Sequence, residues 1–231
     1  MINGVEVFGI TTARASSRSI PRKNTALVGG KPLIAWTIEE AQKSGFLDRY
    51  FILTDDPNVK FVASQYGVEI VNEPKEIAGD NIGPVEALCY ALNEAVGSFK
   101  GREQYVADLR TTNPLKTATD IDGAIGALAC SSDETDLVAG ISPAQTHPAR
   151  IKKWDGEFLA DFFPELSDQR QNLSPAAYVR NGSIYVVKRS RLEKGIFQRN
   201  GKVKPWIMYD NWVNIDRIYD LVVADYILRN R

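Results

Sequence analysis

The sequence predicts an α/β fold with a mostly parallel sheet flanked by helices. Three observations predict it. Short β-rich runs alternate with helical patterns from Val5 to Ile141. Each helical pattern carries an apolar stripe at helical spacing, as a helix laid on a sheet requires. A chain of 231 residues with 44% apolar residues suits one α/β domain, so 1–231 is read as a single unit. Strands joined through helices must run parallel, with both faces of the sheet covered.

The elements follow in order. VEVFGI (Val5–Ile10) is the first strand, and a polar loop runs from Thr11 to Gly30. Pro32 opens a helix with Leu33, Ile34, Ile38 and Ala41 on one stripe, and Gly45 is its expected stop. YFIL (Tyr50–Leu53) is a second strand. Asp56 is placed to cap the next helix, with Pro57 in its first turn and Gly67 at its end. VEIV (Val68–Val71) is a third strand. Pro84 starts a helix carrying Val85, Leu88, Leu92 and Val96. After the strand YVADL (Tyr105–Leu109), Thr119 is the expected cap of a helix with Ile121, Ala124, Ile125 and Leu128. LVAGI (Leu137–Ile141) is a further strand. Residues 142–182 break the rhythm with Pro, Gln, Asp and Arg and with aromatics at Trp154, Phe158, Phe162 and Phe163, and read as an excursion from the sheet, an arm expected to pack on a partner. SIYVV (Ser183–Val187) returns to strand character, and a helix over Arg217–Asn230 closes the chain.

Composition excludes several classes. The net charge is −1, so no global field draws the chain to nucleic acid or to an anionic membrane. No apolar run reaches the roughly 18 residues of a membrane span, and MINGVEVFGITTARA, without a basic start and a long apolar stretch, is not expected to act as a secretory leader. Cys89 and Cys130 lie in apolar contexts and are expected to be buried free thiols, which fits a cytoplasmic protein. A lone His147 supports neither a Ser-His-Asp hydrolase nor a zinc site.

Ligands of open parallel sheets sit beyond the C-terminal ends of the strands. Four loops are therefore candidates. Thr11–Asn24 carries Arg14, Arg18, Arg22 and Lys23 and no acid. It is either a solvated basic loop or a polyphosphate cradle, and its place after the first strand favours the cradle. It lacks the GxxxxGK(S/T) pattern of a P-loop. Thr54–Asp56 offers Asp56 as a cap, and Asp55 as a turn former or ligand-orienting group. Asp108–Asp122 places Arg110, Thr111, Thr112 and Asn113 at a strand end, where they could meet a hydroxylated, anionic ligand. Trp212–Asp220 places Asp216 before a helix, as a charge favourable to the helix dipole or as an oxygen ligand for magnesium.

Six segments, in order, resemble the acylneuraminate cytidylyltransferase family (the CMP-sialic acid synthetases). ARASSRSIPRKN (Ala13–Asn24) is similar to ARxGSKxIPRKN, and GKPLIAWTIEEAQKSG (Gly30–Gly45) to the segment that follows it. LTDD (Leu53–Asp56) resembles STDD, and LRTTNPLKTATDID (Leu109–Asp122) resembles LQPTSPLRxxxDID. DQRQNLSPAAYVRNGSIYV (Asp168–Val186) and VNIDRIYD (Val213–Asp220) resemble RRQxLPxxYxxNGAIYI and VDIDTxxDF. The resemblance implies a Rossmann-like nucleotidyltransferase fold and a homodimer built through the arm at about 142–182. It implies transfer of CMP from CTP to the anomeric hydroxyl of a nine-carbon 2-keto sugar acid, with release of pyrophosphate and use of Mg2+. A nucleotidyltransferase of the 3-deoxy-manno-octulosonate type, or a nucleotide-binding member without turnover, is the alternative.

By the same resemblance Arg14, Ser17, Arg18, Arg22, Lys23 and Asn24 bind the nucleotide, with Arg14, Lys23 and Asp216 central to catalysis. Arg110, Thr112, Lys152, Lys153, Arg170 and Asn181 bind the sugar, the arm residues reaching into the partner's site. Asp216 and Asn214 hold the metal. The chain departs from the family pattern at Ala15, Ser16 and Ser19 for loop glycines, at Glu73 for an arginine beside the base, at Arg110 for glutamine and at Asn214 for aspartate.

Overall fold

The computed structural model describes residues 1–15, 20–77, 79, 82–198, 200–209 and 212–230. The elements of the sheet and its helices are β1 (Glu6–Thr12), the short pair β2 (Leu27–Val28) and β3 (Lys31–Pro32), α1 (Leu33–Lys43), β4 (Arg49–Thr54), α2 (Pro57–Gln65), β5 (Glu69–Asn72), α3 (Pro84–Val96), β6 (Gln104–Leu109), α4 (Ala118–Ala129) and β7 (Leu137–Pro143). Then come β8 (Lys152–Trp154), β9 (Leu159–Asp161), β10 (Tyr178–Lys188), the single-turn α5 (Arg189–Leu192), β11 (Val203–Ile207) and α6 (Ile218–Arg229).

Seven strands form one sheet in the order β11-β7-β10-β6-β1-β4-β5. β10 runs antiparallel to both neighbours, and the remaining pairs are parallel. Both faces are covered. Leu88, Ala91 and Leu92 of α3 pack with Phe8, Ile10 and Phe51 on one face. Ile121, Ile125 and Leu128 of α4 pack with Val7, Leu109 and Val138 on the other. α1 and α2 extend that second layer through Ile34, Ile38, Val59 and Ala63. α6 packs beside the sheet on Val28, Leu33, Leu115 and Ile215. Each buried large aliphatic side chain contributes on the order of 2 kcal/mol, so these stripes orient the helices and thereby the strand-end loops.

Local chemistry sets the element ends. The Asp56 carboxylate accepts from Asn58 N at 2.8 Å and caps α2, as its sequence implies. The cap of α4 differs from expectation: Thr119 lies inside the helix and Thr117 caps it. Thr117 accepts from Asp120 N while Asp120 accepts from Thr117 N at 2.9 Å; the same spacing recurs at Thr119 and Asp122, but the Asp122 carboxylate is taken by Ser44 Oγ and Gly45 N.

The sequence reading missed β11, a short edge strand containing Pro205 and, among the described residues, paired with β7 alone. It also placed the return from the excursion too late. β10 begins at Tyr178, inside the expected arm, pairing Tyr178 with Pro143. The protruding part is the exposed hairpin β8–β9 and the segment that follows it. The thiols differ from expectation as well. Cys89 is half-buried, and Cys130 is exposed because it follows the last turn of α4. Among the described residues no helix is long and apolar enough to cross a membrane.

Candidate active site

The loops after β1, β4 and β6 leave the sheet at one edge and meet there. β1 continues into Ala13, whose N–H donates to Leu53 O, while the Thr54 hydroxyl donates to Ala13 O at 2.6 Å. Ala15 N then donates to the Asp55 carboxylate at 2.8 Å. Asp55 therefore anchors the start of the basic loop.

Asn24 stitches two of these loops together. Its amide donates to Arg14 O at 3.1 Å, and its carbonyl accepts from the Thr111 hydroxyl at 2.7 Å. Lys23 turns the other way. Its ammonium donates to Ile215 O at 2.9 Å and stands 3.7 Å from the Asp216 carboxylate, joining residues 192 positions apart. A basic loop free in solvent would make no such long-range contact.

Asn214 completes this corner. Its amide nitrogen donates to Asp216 Oδ2 at 2.6 Å, while its Oδ1 sits against Gly182. Gly182 has φ +64°, and a Cβ added there would stand 3.0 Å from Asn214 Oδ1. Glycine is required by the backbone conformation and by the close approach. A bulge in β10 between Arg180 and Tyr185 creates this turn. Arg110, Thr112, Arg180, Gly182, Tyr185, Gln198, Asn214 and Asp216 surround a cavity of about 350 Å³.

Arg110 donates to the buried Asp108 carboxylate at 3.1 Å and lies over the Tyr185 ring at 5.0 Å. The floor of this loop is Lys116, which the sequence reading did not single out. Lys116 is 1% exposed, and its ammonium donates to Thr37 Oγ1, Arg110 O and Asn113 O at 2.9, 2.6 and 2.7 Å. Burial pushes it down to about 7, against the opposing pull of Asp108, Glu40 and Asp120. The sequence signal for it is weak: a single lysine in a mostly polar approach to α4, with only Pro114 and Leu115 before it as apolar neighbours.

Other expected residues lie elsewhere. Arg14 turns toward the loop after β5. Its Nε donates to Glu73 at 2.8 Å, and its terminal nitrogens donate to Ile77 O and Gly79 O. The Glu73 carboxylate is buried, which raises its pKa; Arg14 opposes the rise, and Oε2 has no partner. Thus the acid at position 73 and the arginine at position 14 hold each other. Arg22, at φ 53°, faces a separate hollow with Pro21, Asn58 and Phe61. Asn181 is fully buried beneath the cavity, its amide bonded to Ser142 Oγ and Met208 Sδ.

Lys152 pairs with Asp161 and Asp168 on the hairpin, and Lys153 and Arg170 are exposed there, none of them bonded to the cluster in their own chain. Ser17 and Arg18, with Ser16 and Ser19, lie outside the described residues. His147 caps a single turn, accepting from Ala149 N, and its other ring nitrogen meets Pro175 O.

Among the described residues no three His, Cys, Asp or Glu side chains gather as a metal cage. The exposed Asp216 carboxylate and the Asn214 carbonyl nevertheless suit magnesium, which takes few protein oxygens and completes its shell with water and phosphate.

Comparison with known proteins identifies the family. Residues 8–214 match the family model described as "Cytidylyltransferase". The N-acylneuraminate cytidylyltransferase of Streptococcus agalactiae is 28% identical over 182 residues, covering 77% of this chain and 42% of that protein. The chain thus spans less than half the length of that relative. The post-translational flagellin modification protein B of Campylobacter coli is 24% identical and is covered over 96% of its length, as is 98% of this chain. Among solved structures, a CMP:2-keto-3-deoxy-manno-octonic acid synthetase complexed with CTP superposes with a TM-score of 0.74 at 13% identity, covering 97% of this chain and 99% of the other. The 4-diphosphocytidyl-2C-methyl-D-erythritol synthase of Anaerococcus prevotii superposes at 0.64 with 14% identity, over 98% and 100% of the two chains. Those two likenesses are of fold. With the family model matching most of its length, the chain belongs to the cytidylyltransferase family.

Proposed function

We propose that this protein transfers CMP from CTP to the anomeric hydroxyl of a sialic-acid-like 2-keto sugar acid and releases pyrophosphate. The observation that carries the reading is the meeting of Lys23 with the Asn214–Asp216 corner at the mouth of the Arg110 cavity. It sets a cation for phosphate beside oxygen ligands for a metal and next to a donor-lined hollow for a sugar. The name of the Streptococcus agalactiae relative supports the same reaction.

The chemistry joins two anions. The sugar hydroxyl oxygen bonds to the α-phosphorus, the bond from that phosphorus to the bridging α–β oxygen breaks, and the hydroxyl proton passes to solvent. Charge screening and in-line positioning dominate such a step. Lys23 holds the triphosphate. Arg14, held by Glu73 and two carbonyls, fixes the loop that borders the base. Asn24 locks the β1 and β6 loops so that nucleotide and sugar sites keep their spacing. Asp216 and Asn214 hold Mg2+, which when bound would neutralise phosphate charge and favour departure of pyrophosphate.

The protein works in the cytoplasm as a homodimer. The exposed apolar side chains of the arm (Trp154, Phe158, Leu159 and Phe162) pack on the second copy and bring Lys152, Lys153 and Arg170 to its site.

A pyrophosphate-release screen over four nucleoside triphosphates and a panel of 2-keto sugar acids tests the reaction. Turnover with CTP and one such acid is expected. Lys23→Ala should lower the rate about 100-fold, near 3 kcal/mol of barrier, with an unchanged circular dichroism spectrum. A wild-type chain silent across the panel, or a fully active Lys23→Ala variant, defeats the reading.

A further inference from the structure

The far wall of the Arg110 cavity is built from donors. Arg110 donates through Nε to Asp108, which balances its charge, and its terminal nitrogens make no hydrogen bond among the described residues. Among the described residues Arg180 has no carboxylate partner. One of its terminal nitrogens donates to Gln198 O at 3.4 Å. Gln198 adopts φ 39°, a left-handed conformation that a non-glycine residue holds only under constraint. Its side-chain nitrogen Nε2 is buried and has no partner among the described residues, although Gln198 lines the same cavity. A buried amide donor without an acceptor is costly unless a ligand supplies one.

We propose that Arg180, Gln198 and Arg110 form the seat of the acceptor sugar's carboxylate, with Arg180 as the specificity-determining cation. The proposal rests on the sugar-acid reading above and names the atoms that recognise the acid. Two features make a carboxylate the fitting group. It is planar with two acceptor oxygens, so a guanidinium and an amide nitrogen can each take one. Its single charge matches Arg180, which no carboxylate among the described residues balances. Arg180 sits one residue before Asn181 and the β10 bulge, so the turn that needs Gly182 also aims Arg180 at the cavity.

The test is titration calorimetry on the whole chain with a non-hydrolysable CTP analogue bound. The probes are N-acetylneuraminate and 2-keto-3-deoxy-manno-octonic acid, each against its uncharged C1 amide. Wild type should prefer at least one acid over its amide by roughly 10- to 100-fold, the worth of one charge-assisted hydrogen bond or two. Arg180→Met and Gln198→Ala should each weaken the acid and leave the amide unchanged. Retained affinity for the CTP analogue shows that each variant is folded. A wild type that does not discriminate, that binds neither acid, or whose preference survives in Arg180→Met overturns the proposal. Binding of an acid without pyrophosphate release leaves the seat standing and sinks the transfer reaction instead.

Discussion

Lys116 makes the stability of this protein depend on pH in a direction that can be worked out. The side chain is buried, donates to Thr37 Oγ1 and to the carbonyls of Arg110 and Asn113, and has its pKa pushed from 10.5 to about 7 by burial. Below pH 7 the amine is charged in both folded and unfolded chains, and the folded state bears the full cost of burying that charge. Between about 7 and 10.5 the unfolded chain binds more protons than the folded one, so stability rises with pH. Above 10.5 both forms are neutral and the gain is complete. Linkage over that interval gives a rise of about 2 to 3 kcal/mol from pH 6 to pH 9.

Lys116→Met keeps the length of the side chain and removes the titration. Urea unfolding of wild type and variant at half-unit steps of pH, read by tryptophan fluorescence, isolates this contribution because every other titrating group is shared. The wild-type-minus-variant difference should climb by that amount across pH 6–9. A flat difference, within about 0.5 kcal/mol, refutes a displaced lysine at this position.

Three further outcomes follow from the site. Gly182→Ala forces a Cβ to 3.0 Å from Asn214 Oδ1 at φ +64°, and should cost about 1–2 kcal/mol, lowering Tm by several degrees and reducing transfer; an unchanged melting curve contradicts the strain. Asn214→Asp adds a second carboxylate beside Asp216, so the magnesium concentration for half-maximal rate should fall about tenfold; an unaltered magnesium titration removes Asn214 from the metal's shell. Trp154→Glu places a charge on the exposed face of the arm and should give monomers in light scattering where wild type gives dimers, with transfer falling alongside; a wild type that is monomeric at micromolar concentration refutes the role of the arm.

Much of the fold is legible along the chain because its elements are locally coded. Apolar stripes mark α1 through α4, and the Asp56 and Pro57 start of α2 and the Pro84 start of α3 need only neighbours in sequence. β11 is not legible, because a five-residue edge strand interrupted by Lys204 and Pro205 gains its order from β7 rather than from its own pattern. The exposure of Cys130 depends on where α4 stops, a boundary set by packing.

The candidate site divides in the same way. Residue types at strand ends point to Lys23, Asn24, Arg110, Thr112 and Asp216, and the structure brings these to one edge of the sheet. The pairing of Arg14 with Glu73, the donors of Arg180 and Gln198, and Lys116 under the Arg110 loop join segments far apart in sequence. The sequence by itself determined the class of fold, the family and the identity of most charged groups, since short-range periodicity and ordered motifs encode those. Only the tertiary structure decided which charges neutralise each other and which stay open to a ligand. That choice depends on distance and burial, and neither is a property of neighbouring residues in a chain.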